Sequence, residues 1–185
     1  GTGAAGARIN AVGTIVGLTT PALTFSNTGA IAFTGSGTRT LTLGGATISD
    51  NTFGPQLTDG GGATTLSKVD AGLWLLNPDV AGNTYTGGTS ITGGTLAILA
   101  GNALGAGTVT INGGAGTGLQ VRSGLTLSNN IVNSGADGGI HATAGNSTLS
   151  GTVALNAQAR ITVDSGASMT FSNVVSGSGN LFKSG

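Results

Sequence analysis

Apolar and polar residues alternate along this chain in short runs. Leu41-Thr42-Leu43, Val109-Thr110-Ile111, Leu119-Gln120-Val121, Leu125-Thr126-Leu127, Ile161-Thr162-Val163 and Met169-Thr170-Phe171 each put apolar side chains on one face and a polar one on the other. That period of two is the mark of a half-buried β-strand. Threonine, branched at Cβ, suits the exposed face of such a strand. Nowhere do apolar residues recur at i, i+3, i+4 and i+7 over three turns, so no amphipathic helix is predicted. Gly-Gly, Asn-Gly, Ser-Gly and Gly-Asn steps between the runs supply turn chemistry.

Spacing separates the all-β architectures. Apolar centres at Leu96, Val109, Leu119, Leu125, Ile131, Ile140, Leu149, Leu155, Ile161, Phe171 and Leu181 lie 6 to 13 residues apart. Sandwiches and barrels use strands of about 5–6 residues at a spacing of about 8–12. Gaps of six fit a β-solenoid better, in which each coil makes two or three short strands and stacks on the next by parallel pairing. At about 20–25 residues per coil, residues 1–185 are expected to form a single solenoid segment of roughly eight coils. Glycines would take the corners, and Leu, Ile, Val and Ala the narrow interior.

Composition removes several alternatives. Gly, Thr, Ala, Ser and Asn make up 119 of the 185 residues, and only 6% are charged. These types disfavour helix interiors, alanine excepted. A net charge of zero with singly scattered basic residues argues against a nucleic-acid partner. Leu, Ile, Val and Phe total 44, and mean hydropathy is +0.28, which argues against disorder. The lack of cysteine excludes disulfides and thiolate metal sites. No apolar run approaches the length of a membrane-spanning helix.

The chain also echoes itself. Gly62 to Lys68 and Ser176 to Lys183 share a Gly-rich lead-in followed by Leu-x-Lys, as Leu66/Lys68 and Leu181/Lys183. The second copy, over 176–185, reads as the start of a further repeat in a longer array.

One stretch, 65–114, resembles a known family. Leu66-Ser67-Lys68, then Gly72 and Trp74 in an alternating strand, look like the opening of the autotransporter passenger-associated β-strand repeat. Asn83-Thr84-Tyr85-Thr86-Gly87-Gly88-Thr89 is similar to its most recognisable segment, and Ile91-Thr92-Gly93-Gly94-Thr95-Leu96 to the strand and turn that follow. Val69-Asp70 and Asn77-Pro78-Asp79-Val80 depart from that pattern. The resemblance implies a right-handed parallel β-helix, exported to the surface of a bacterium with an outer membrane. It implies no ligand and no activity, because such repeats serve as shafts.

Catalytic chemistry would need converging titratable groups. The six acids are Asp50, Asp59, Asp70, Asp79, Asp137 and Asp164; Asp50, Asp79 and Asp137 read as turn residues capping their own backbone. His141 is the single histidine and has no ligand spacing around it. No calcium nonapeptide, phosphate loop or nucleophile elbow is present. The expected function is therefore mechanical: a non-enzymatic extracellular shaft or filament segment, without cofactor or metal, holding an adhesive surface for a host cell or glycan. Head-to-tail self-association through the solenoid ends is part of that expectation. The alternative is a polysaccharide-binding or polysaccharide-processing solenoid. It would use Asp50, Asp59, Asp70 or Asp79 as carboxylates and Trp74 and Tyr85 as stacking rings.

Overall fold

A computed structural model describes residues 6–12, 21–78 and 81–185. Among these, the chain makes nineteen short strands, numbered along the chain, and no helix. The first sheet runs β1 (Ala7–Ala11), β3 (Arg39–Gly45), β5 (Thr64–Lys68), β7 (Thr89–Ile91), β9 (Val109–Ile111), β12 (Ile131–Asn133), β15 (Val153–Leu155) and β18 (Val175–Ser176). The second runs β2 (Thr24–Phe25), β4 (Asn51–Phe53), β6 (Leu73–Leu76), β8 (Thr95–Ile98), β10 (Gly118–Val121), β13 (Gly138–Ala142), β16 (Ala159–Val163) and β19 (Leu181–Ser184). A third sheet joins β11 (Thr126–Leu127), β14 (Asn146–Leu149) and β17 (Ser168–Phe171). All registered pairs among the named strands are parallel, from Ala7 against Leu41 to Ala159 against Leu181. This is a β-solenoid of about seven turns.

The turn count is one lower than the spacing predicted, because the early coils are long. Ala7 pairs with Leu41, a step of 34 residues, and Leu41 with Leu66, a step of 25. From Val109 onward the step is 22: Val109 to Ile131, Ile131 to Val153, Val153 to Val175. These later coils are also the ones that carry the third strand. The six-residue gaps around Leu125 and Leu155 mark that change.

Parallel register stacks like side chains in columns. Leu41, Leu66, Thr89, Val109, Ile131 and Val153 form one inward column of the first sheet. Trp74, Leu96, Leu119, Ile140 and Ile161 form the matching column of the second. All of these are buried. Burying an aliphatic side chain is worth roughly 1.5–3 kcal/mol, and the columns repeat that gain at each rung. Outside, Thr42, Ser67, Ser90 and Thr110 line up as a hydroxyl row that replaces the missing surface charge.

Glycine at the corners is required by close stacking. Gly94 has φ +60°, and a Cβ there would lie 2.3 Å from the carbonyl oxygen of Gly72 in the coil below. Large exposed apolar side chains gather at the last rung: Val174, Val175, Leu181 and Phe182. No helix among the described residues is long and apolar enough to cross a membrane.

Candidate functional site

The motif segment builds the inside of the stack. Leu66 and Lys68 point the same way from β5, as alternation demands, so Lys68 takes an inward position between Leu43 and Ile91. Its side chain is fully buried. Nζ escapes the apolar column by donating to three corner carbonyls, Val69 O at 2.8 Å, Asp70 O at 2.9 Å and Gly93 O at 2.8 Å. An ammonium has three protons, so it is saturated. Burial lowers its pKa to about 8, against a smaller raising effect of the Asp70 charge.

Trp74 and Tyr85 are buried. Trp74 Nε1 donates to Gly44 O at 2.9 Å, and Phe25 stacks on its ring at a centroid distance of 6.4 Å. The Tyr85 hydroxyl shares a hydrogen bond with Thr89 Oγ1 at 2.5 Å, and burial raises its pKa. Neither ring is available to a sugar. The stacking residues of the polysaccharide alternative are thus removed, because alternation and turn geometry aim both rings inward.

Asn83 ties three coils together. Its Oδ1 accepts from Leu57 N at 2.8 Å in one coil, and its Nδ2 donates to Ala103 O at 2.6 Å in the next. Thr84 N donates to Leu57 O, Gly87 N to Thr64 O, and Thr89 N to Thr108 O. Thr86 binds Asp59, with Oγ1 on Oδ2 at 2.6 Å. Gly72 N donates to Gly45 O, Gly88 has φ +85°, Gly93 accepts from Lys68, and Leu96 is buried beside Trp74. Leu181 and Lys183 lie on β19 in the second sheet, whereas Leu66 and Lys68 lie on β5 in the first. There Leu181 is half exposed and Lys183 Nζ donates to Gly185 O. The two Leu-x-Lys segments therefore occupy different arcs of the coil.

The sequence reading missed three further asparagines of this kind. Asn51 Nδ2 donates to Thr47 O and Leu73 O, and Asn129 Nδ2 to Gly105 O and Gly107 O. Asn133, two rungs above Ile91 in the Lys68 column, donates to Gly135, Ala157 and Gln158 carbonyls. An amide offers two donors on a short stem, which matches a corner where carbonyls of two coils converge. The available signal was their position: Asn51 opens a short apolar strand, Asn133 closes one, and Asn129 stands two residues before one.

The carboxylates are stitches between coils. Asp50, a turn residue by its sequence, pairs with Arg122 at 2.7 Å, 72 residues away. Asp137, in a turn with φ +62°, reaches Gln158 and, at 3.5 Å, Arg160 of the next coil. Asp59 accepts from Thr64 N and from Thr86, whose hydroxyl is the main reason its pKa is lowered. Asp70, at φ +58°, accepts from Gly45 N at 2.8 Å and Arg8 at 2.6 Å, and the Gly45 amide is the main cause of its lowered pKa. Asp50 and Asp70 are thus engaged by different cations and do not form a pair. Asp79 lies outside the described residues. His141 Nε2 meets Asp164 at 2.8 Å, with Gln120 on its other nitrogen. No group of three or more His, Cys, Asp or Glu that could hold a metal occurs among the described residues.

The buried lysine predicts an unusual pH dependence. Its folded pKa of about 8 lies below the ordinary value of 10.5. Between those values the unfolded chain binds more protons, so stability rises with pH. Chemical denaturation should show stability increasing from pH 8 to pH 10, by at most about 3 kcal/mol. Above about pH 10, Tyr85 reverses the trend, because only the unfolded chain ionises it there.

A stretch of 79 residues, 42% of the chain, is 42% identical to the adhesin BmaC autotransporter of Brucella suis biovar 1 (strain 1330). The fold and this relative fit an autotransporter passenger-like β-helix protein. The passenger-like chain spans only 2% of that relative's length. No family model and no solved structure matches it.

Proposed function

We propose that this passenger-like chain is a non-enzymatic shaft segment of a longer surface array in a Gram-negative bacterium, carrying or presenting an adhesive face. The supporting observation is where the motif residues spend their chemistry. Lys68, Trp74, Asn83 and Tyr85 all bond to other parts of the stack. None is left to act on a substrate. Seven steps at about 4.8 Å give a rod roughly 35 Å long, a spacer that copies of the repeat would extend. The name of the relative, an adhesin, supports surface placement and adhesion.

Three measurements on the purified chain test this reading and its head-to-tail extension. Incubation with a panel of neutral and acidic polysaccharides should leave their chain lengths unchanged. Cleavage that disappears in Asp70→Asn would overturn the non-enzymatic reading. Beads coated with the chain should adhere to host cells above the level of uncoated beads; equal adhesion removes the adhesive part. Sedimentation velocity decides head-to-tail association, and a monomer at all concentrations removes it.

A further inference from the structure

The outer face of the second sheet carries a groove. Thr95, Gly118, Gly139 and Arg160 stand in one register row across β8, β10, β13 and β16. Leu119 and Ile140 beside them are buried, so this row faces outward. The two glycines leave the middle of the row without side chains, and a groove of about 200 Å³ opens over them. Thr95 and Arg160 close its ends. Gln120 and His141, two residues further along their strands, form one wall, and Asp137 stands on the other.

The glycines have a structural reason of their own. A Cβ on Gly118 would lie 2.3 Å from Gly139 O, and one on Gly139 would lie 2.4 Å from Arg160 O. The inference therefore rests on the groups around the groove. Arg160 is half exposed, and among the described residues its side chain makes one bond, to Asp137, which is long at 3.5 Å. A guanidinium has five donors, so most of them remain for a ligand. Both bonds to Asp137 land on Oδ1, which leaves Oδ2 as an acceptor without a partner among the described residues. The two charged groups that line the groove, Arg160 and Asp137, offset each other. Each strand under the groove is already paired on both sides, so an extended peptide finds no open edge to join.

We propose that this groove binds a sugar unit of a neutral glycan. Donors and acceptors set side by side in a charge-balanced concavity match hydroxyl groups, each of which both donates and accepts. An anionic ligand would face Asp137, and a cationic one Arg160. The proposal rests on the adhesive part of the function above and gives that adhesion a ligand class.

Saturation-transfer NMR and calorimetry test it on the whole chain. The probes are neutral trisaccharides of glucose, galactose and mannose, with a uronic-acid trisaccharide and a short neutral peptide as competitors. At least one neutral sugar should bind with a dissociation constant on the order of 1 mM. Arg160→Ala and Asp137→Asn should each weaken it by about tenfold or more. Arg8→Ala, on β1, should leave it unchanged. Circular dichroism checks that each variant folds, and Gln120→Ala serves in place of one that does not. Lack of saturation transfer from every neutral sugar overturns the proposal. So does binding that is undiminished in the groove variants, or binding confined to the uronate or the peptide. Bead adhesion separates the two readings. Adhesion that survives the groove variants removes the groove alone, and sugar binding without bead adhesion removes the adhesive reading alone.

Discussion

Trp74→Ala is expected to destabilise the solenoid by about 3–5 kcal/mol, the range for truncating a large buried aromatic. Trp74 is fully buried in the inward column beneath Leu96 and against Phe25. Its removal empties a site that rigid backbone ladders on both sides cannot close. It also strands the carbonyl of Gly44. Trp74→Phe separates the two contributions. It keeps most of the ring volume but loses the indole donor, and should cost about 1–2 kcal/mol. Urea unfolding measures both. A loss below about 1 kcal/mol for the alanine variant would mean that the column relaxes, contrary to close packing.

Lys68→Met is the second large effect. The methionine stem fills the same space between Leu43 and Ile91, so apolar burial is preserved. What disappears is the ammonium that satisfies the carbonyls of Val69, Asp70 and Gly93. Removing one partner from a buried polar cluster usually costs more than the cluster contributes. A loss of about 2–4 kcal/mol at pH 7 is expected. The variant should also lack the gain in stability between pH 8 and pH 10. If it matches or exceeds the stability of the parent chain at pH 7, relief of the buried charge outweighs the three hydrogen bonds, and the corner does not depend on them.

How far the sequence speaks depends on whether a signal is local. Leu41-Thr42-Leu43, Val109-Thr110-Ile111 and Leu119-Gln120-Val121 fall on β3, β9 and β10, because alternation is a property of neighbouring residues. Gly94 and its like fall at corners for the same reason. Lys68 is different. Alternation places it on the inward face with Leu66, but its charge reads as exposed until Gly93, 25 residues on, supplies an acceptor. Asn83, Asn129 and Asn133 likewise gain their roles from carbonyls in other coils. The groove lay beyond reach as well. Gly118 and Gly139 become neighbours only through register, and so do Gln120 and His141.

Stitching by side chains has a consequence for how such a rod comes apart. In a solenoid each coil touches only the one before and the one after, so unfolding can begin at an end and travel inward coil by coil. Arg8 on β1 and Asp70 just after β5 are joined across the intervening β3, and Asp50 and Arg122 are also joined over more than one rung. Each exposed pair contributes little by itself, because water screens it. Yet each links coils that are not neighbours, so a coil at the end cannot fray without also loosening one deeper in. A few weak, long stitches thus tie the loosening of an end coil to that of coils further in.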